Sequence, residues 1–349
     1  MDMNQWVARW EDEGGAVPEV EIRRKRGAGK ARPAITLGRI LVPIDFSPES
    51  LKTLRFAKLL AAQTGARLHL THVVSPPVTS SARPVIIPPA FSEEAIAASA
   101  RQRMKALQAE LSLPAGSNPA TVRSGAPVEE IKEAARKIDA DLIVMATRGF
   151  TGLKRIFLGS TTERVVRDAP CPVLVVREKE DQPSKKRAPQ TALRFRKILV
   201  PIDFSECSRL GLGYALGFAE DFGARLVLFH SVFIHAYVLG DEYTAREVPD
   251  LIATQQDYAK DEMEKLRQSV SRKGREVESE VAFGSPVEQI TDYVTKEDVD
   301  LIITSTHGRS GLRRVFIGST AEHIVRHASC PVLVVPNRPL RKKLSKGRR

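Results

Sequence analysis

Apolar runs and stretches of helical periodicity take turns along most of this 349-residue chain. Five short β-rich runs stand out in the first half: ILVPI, ARLHLTHVV, PATVRS, DLIVMA and CPVLVV. Most are continuous in hydrophobicity, not alternating, which is the pattern of parallel strands covered on both faces. Amphipathic stretches of helical length lie between them. In SPESLKTLRFAKLLAAQTG, Leu51, Leu54, Ala57, Lys58 and Ala61 recur at spacings of three and four, giving one apolar stripe broken only at Lys58. Ser47 is placed to cap this helix, Pro48 to occupy its first position, and Gly65 to end it. Strands and helices in this alternation predict a doubly wound α/β architecture.

The pattern is written twice. RILVPIDFSPES returns as KILVPIDFSECS, GARLHLTHVV as GARLVLFHSV, and DADLIVMATRG as DVDLIITSTHG. Asp203 stands 158 positions after Asp45, and Gly308 159 positions after Gly149, so the copies keep nearly constant spacing. Such self-similarity predicts two tandem domains of one fold, which suits the length at about 150 residues per domain. The expected division is a basic N-terminal segment at 1–36, a first domain at 37–177, a polar linker at 178–194, a second domain at 195–337 and a basic tail at 338–349. The copies differ most after the second strand, where SPPVTSSARPVIIPPAFS faces FIHAYVLGDEYTAREVP.

Composition narrows the class. Hydrophobic residues make up 42% and charged residues 28%, as in ordinary globular proteins. No run is long and uncharged enough to span a membrane, and the opening MDMNQWVARWEDEGG has no signal-peptide pattern; a cytoplasmic location is the default expectation. Three cysteines form no CxxC pair, and Cys171 and Cys330 begin the matching CPVLVV runs, as small buried side chains would. The net charge of +12 sits largely in RRKRGAGKAR and in a tail with seven basic and no acidic residues. Basic ends of this kind are more often solubilising than dedicated nucleic-acid contacts.

The loops that agree between copies are PIDFS after strand one, the end of strand two, and the connection after strand four. Open α/β sheets bind ligands at these carboxyl ends. After strand four, Gly149 and Gly308 mark tight turns, and Gly159-Ser160 and Gly318-Ser319 then open a helix whose N-terminus suits phosphate. STTE and STAE also read as capping boxes in which Ser and Glu close the helix end. Lys154, Arg155, Arg313 and Arg314 could add charge or face solvent. GLGYALG, from Gly211, has the wrong spacing for a dinucleotide fingerprint and sits inside a helix, where it reads as close packing.

Gly-x9-Gly-Ser before a helix, with VPIDFS and CPVLVV, resembles the universal stress protein family across both domains. The resemblance implies a five-stranded parallel sheet of order 3-2-1-4-5 in each domain, with helices on both faces. It also implies ATP or another adenine nucleotide as ligand, commonly with a divalent cation such as Mg. Carried over, it assigns Pro43, Asp45, Val73, Met145, Ala146, Arg148, Gly149, Gly159, Ser160 and Thr161 to the first site. The second takes Pro201, Asp203, Ser231, Thr304, Ser305, His307, Gly308, Gly318, Ser319 and Thr320. Both copies lack the family's first glycine, having Ala146 and Ser305 in its place.

Asp45 and Asp203 fit either ribose and metal contacts or the turn into the helix. His72 and His230 correspond and read as packed, hydrogen-bonded histidines. His307 faces Arg148 in the other copy, so the sites share no general base. No catalytic residue and no metal ligand is assigned. The reading is a nucleotide-responsive stress regulator; a slow ATPase, an autophosphorylating or phosphoryl- or adenylyl-transfer enzyme is the alternative, with a nucleic-acid binder further behind. The apolar final strands are expected to cover each other's edges about a pseudo-twofold axis, within one chain or between two in a homodimer.

Overall fold

The computed structural model describes residues 37–75, 92–111, 120–147, 158–177, 192–233, 247–271, 275–306 and 318–337. The first half contains β1 (Arg39–Pro43), α1 (Pro48–Thr64), β2 (Arg67–Val74), α2 (Glu93–Leu111), β3 (Thr121–Ser124), α3 (Pro127–Lys137), β4 (Leu142–Ala146), α4 (Ser160–Asp168) and β5 (Val173–Val176). The second repeats the order with β6 (Lys197–Pro201), α5 (Glu206–Phe222), β7 (Arg225–Val232), α6 (Glu247–Val270), β8 (Val277–Phe283), α7 (Pro286–Lys296), β9 (Leu301–Ser305), α8 (Ser319–His327) and β10 (Val332–Val335). Helix α1 starts and stops where its sequence signals stand. Ser47 accepts the Ser50 N–H at the N-cap, Pro48 opens the first turn, and Gly65 closes it at φ 72° in the left-handed region.

The strands form one sheet in the order β3-β2-β1-β4-β5-β10-β9-β6-β7-β8, which is 3-2-1-4-5 met by its own copy. Pairing is parallel within each half and antiparallel only between β5 and β10. At that seam Leu174 opposes Leu333, its own repeat equivalent, flanked by Val173 with Val334 and Val175 with Val332. The local twofold therefore runs through the leucine pair. Of the two arrangements open to the sequence, the final strands meet within the chain. Both sides of β5 and β10 are then paired, so a homodimer formed through these strands has no edge left to use.

Helices cover the sheet in two layers, and each layer's core runs through both halves. Leu54, Leu60, Met104, Leu174, Leu212, Phe218, Met263 and Leu333 belong to one cluster, beneath α1, α2, α5 and α6. Ile131, Val165, Val173, Ile290, Ile324 and Val334 belong to the other, beneath α3, α4, α7 and α8. Alternate residues of β5 and β10 thus feed the two layers. Side chains also lock the halves together. Gln63 on α1 donates to the Leu193 carbonyl at 2.8 Å and accepts the Leu193 N–H at 3.2 Å. Phe195 packs on Phe56 of the first half and, edge-on at 4.9 Å, on Phe222 of the second. Arg177, just past β5, donates to the Arg326 carbonyl in α8.

Two aspartates at the N-terminal side of the sheet recur as clamps. Asp141 Oδ2 accepts the Gly38 and Arg39 N–H groups at 2.8 and 2.9 Å, and Asp300 Oδ2 accepts those of Arg196 and Lys197 at 2.8 and 3.1 Å. Each carboxylate satisfies the backbone at the start of a first strand, which explains the repeated DADL and DVDL. The cysteines are free and buried, as small apolar side chains. Burial, with Asp141 adding, pushes the Cys171 thiol from its ordinary 9.0 up to about 12. Burial also raises Tyr214 on α5, with Cys171 and Asp141 contributing across the seam. GLGYALG lies inside α5, where Gly211 is buried and an added Cβ would sit 3.6 Å from the Thr304 backbone, in line with close packing.

Because each core layer is continuous, urea unfolding followed by circular dichroism is expected to show one transition. Leu333→Ala should lower its free energy by about 2–5 kcal/mol, the range for a fully buried leucine. The thiol gives a pH signature. Above its ordinary 9.0 the unfolded Cys171 ionises, whereas the folded thiol keeps its proton until about 12. Stability should therefore fall across that window, and fall less in Cys171→Ser, as read from urea midpoints at pH 8 and pH 10.

Candidate functional site

In each half the strand order reverses between the first and fourth strands, and their C-terminal ends create a mouth of the kind where open α/β sheets take ligands. The turn leaving β1 is one hydrogen-bonded unit. Asp45 Oδ1 accepts both the Ser47 N–H at 3.0 Å and the Ser47 hydroxyl at 2.6 Å. The same serine oxygen accepts the Ser50 N–H, which starts α1. Phe46, caught between, is held at φ 62°, a conformation costing a non-glycine residue roughly 1–2 kcal/mol. Its ring rests on His72 at 4.8 Å, and His72 Nδ1 donates to the Ile44 carbonyl at 2.7 Å. The guanidinium of Arg103 lies 3.9 Å from the Phe46 ring centre.

The second half rebuilds this turn almost bond for bond. Asp203 holds Ser205 at 3.0 and 2.6 Å, Phe204 sits at φ 61°, and His230 bonds the Ile202 carbonyl at 2.7 Å. Repetition of VPIDFS and of the strand-two histidine is thereby explained. The turn role open to Asp45 and Asp203 is visible, and both histidines are packed and hydrogen-bonded. Among the described residues no three His, Cys, Asp or Glu side chains gather in a way that could hold a metal ion.

At the far side of the mouth, α4 and α8 point their N-termini toward the ends of β4 and β9. The capping boxes expected from STTE and STAE are not formed. Gly159 and Gly318 themselves occupy the N-cap, and Ser160 and Ser319 are the first helical residues, so no side chain caps either end. Each glycine is instead anchored through its N–H, Gly159 to the Thr147 carbonyl at 2.8 Å and Gly318 to that of Thr306 at 2.7 Å. Thr162 Oγ1 adds a bond to the Ala146 carbonyl at 2.9 Å. In the second half Thr306 is tied to β10 by its N–H and accepts the Asn337 N–H on its hydroxyl. These threonines were not singled out in the sequence, although Thr147 and Thr306 repeat.

The remaining assigned residues separate by position. Pro43 and Pro201 end β1 and β6; Val73 and Ser231 lie near the ends of β2 and β7; Met145, Ala146, Thr304 and Ser305 end β4 and β9. Met145, Thr304 and Ser305 are buried, whereas Ser160 and Ser319 are exposed and Thr161 and Thr320 half-buried. Ser231 donates its hydroxyl to the Gly284 carbonyl at 2.7 Å, a commitment that Val73 cannot make. Arg148, Gly149, His307 and Gly308, with Lys154, Arg155, Arg313 and Arg314, lie outside the described residues.

Two doubly wound halves, each with a hydrogen-bonded β1 turn and a glycine-capped helix at its mouth, define a duplicated doubly wound α/β protein. The universal stress protein family model matches residues 36–177 and again 194–336, and the chain belongs to that family. A universal stress protein of Methanocaldococcus jannaschii is 29% identical over 142 residues, covering 40% of this chain and 82% of its own length. The crystal structure of a universal stress protein from Archaeoglobus fulgidus matches the fold across 86% of this chain and 97% of its own, at a TM-score of 0.60 and 21% identity. A universal stress protein solved in complex with cAMP is 26% identical over 41% of this chain and 98% of its own, at a TM-score of 0.28.

The β1 turn sets a measurable expectation. Ser47→Ala or Ser205→Ala removes a helix cap and a partner of the aspartate, and each should cost about 1 kcal/mol in urea denaturation. Asp45→Ala should cost more, because it leaves two donors of the turn without their acceptor.

Proposed function

We propose that the chain binds an adenine nucleotide, with ATP as the ligand, at one or both mouths, and acts as a nucleotide-responsive stress regulator and not as a dedicated catalyst. The observation carrying this reading is the repeated glycine at the N-cap of α4 and α8, bonded back to the strand-four end and leaving the first helical turn without a side-chain cap. Such a turn offers N–H donors and the positive end of the helix dipole to a phosphate. The fit extends across the mouth. Asp45 and Asp203 stand at the turn suited to ribose hydroxyls, and Val73 and Ser231 stand on the second strand, where the base would lie. A nucleotide bridging these elements would favour one arrangement of the mouth and so couple its concentration to surface shape. Mg would be held chiefly by the phosphates. Among the described residues no helix is long and apolar enough to cross a membrane.

The direct test is to denature the purified protein, identify any released nucleotide by mass spectrometry and count it per chain. ATP, ADP, GTP and cAMP form the titration panel. Gly159 lies at φ −62° and Gly318 at φ −53°, which any residue can adopt, so a valine there adds bulk without backbone strain. Gly159→Val should weaken ATP binding at the first mouth at least tenfold, and Gly318→Val at the second, while melting temperatures stay close to wild type. Unchanged ATP affinity in the double variant would overturn the reading.

A further inference from the structure

The two mouths share a backbone on their outer side but differ there in chemistry. Val73 on β2 is the register partner of Arg123 on β3, so their side chains stand together on one face of the sheet near its C-terminal margin. Arg123 Nε donates to Glu130 Oε2 at 2.6 Å, with Glu130 in the first turn of α3. Both side chains are largely buried, 23% and 25% exposed. Gly125, in the connection between them, takes φ 145°, and a Cβ there would come within 3.0 Å of Glu130 Oε1. The loop is thus pressed against the carboxylate and fixes its place.

In the second half Ser231 is in register with Ala282, and Gly284 at φ 129° passes equally close to Gln289, 3.1 Å from its Nε2 to a built Cβ. Strand, glycine and helix are the same; the ion pair has become alanine and glutamine. The fold therefore does not require the pair. Nor does stability account for it, since a largely buried pair loses in desolvation most of what it gains in attraction. What distinguishes its place is the neighbouring strand end, where the proposed function puts the base.

We propose that Arg123, oriented by Glu130, determines base specificity at the first mouth. One guanidinium N–H is taken by Glu130, and the group carries four more donors beside a carboxylate with further acceptor capacity. Donor and acceptor side by side complement a purine edge that presents an acceptor next to an amino group, as adenine does at N7 and N6. The second mouth, with Ala282 and an amide that both donates and accepts, reads the base less strictly. The two sites of one chain then differ in selectivity: the first is strict for adenine, the second tolerant.

This inference rests on the nucleotide reading above, and the experiment separates the two. ATP and GTP are titrated calorimetrically into the full chain carrying Gly318→Val, which isolates the first mouth, with and without Arg123→Ala plus Glu130→Gln. That double change installs the pair the second half already folds with. It should weaken ATP binding roughly tenfold, as loss of a charged hydrogen bond does, and leave GTP binding within about threefold. The converse, Ala282→Arg plus Gln289→Glu in a Gly159→Val chain, should raise the preference for ATP over GTP at the second mouth. If both exchanges leave the ATP-to-GTP ratio unchanged while the unexchanged chains bind ATP, the specificity role is overturned and the nucleotide reading stands. Failure of wild-type protein to bind any adenine nucleotide would overturn both.

Discussion

The pairing of Leu174 with Leu333 across β5 and β10 is the contact on which the architecture depends. CPVLVV has no polar face to offer water, and a final strand left as an edge would expose both apolar side chains and unpaired backbone groups. Meeting its own copy removes both exposures in one step. It also merges the helix layers of the two halves, because the leucines feed one layer and the valines on either side of them feed the other. Gln63, Phe195 and Arg177 then fasten a joint whose register is already set.

Against this closed frame, the mouths carry the tension of the structure. Phe46 and Phe204 are bulky residues in the left-handed region, held there by an aspartate that gathers a serine's N–H and hydroxyl. Strained backbone that is over-determined by its surroundings tends to be found at ligand sites. Here the surroundings include a histidine bonded to the preceding carbonyl and an aromatic contact, so the turn presents a pre-formed surface. Pre-formation matters for binding, because a loop already ordered loses little entropy when a ligand arrives.

Much of this was legible from residues alone. Continuous apolar runs marked parallel strands, Ser47, Pro48 and Gly65 bounded α1, and duplication announced two copies of one fold. The capping boxes misled because Ser-x-x-Glu has the local form of a cap, whereas the N-cap falls one residue earlier, on a glycine held by a threonine carbonyl twelve residues upstream. The clamps of Asp141 and Asp300 were invisible for a related reason: their partners lie about a hundred residues upstream. Leu193 was assigned to the linker on the polarity of its neighbours, yet it is buried against the first half. Whether the final strands join within or between chains is a matter of tertiary geometry, and local pattern carries no information about it.

Because every strand of one half runs antiparallel to every strand of the other, their C-terminal margins look away from each other. One bound molecule cannot touch both mouths, and anything passing between them must travel through the slab of sheet and helices. A macromolecule approaching along one margin would meet a single mouth only. The duplication thus creates a two-faced object, with one mouth on each margin of a single sheet.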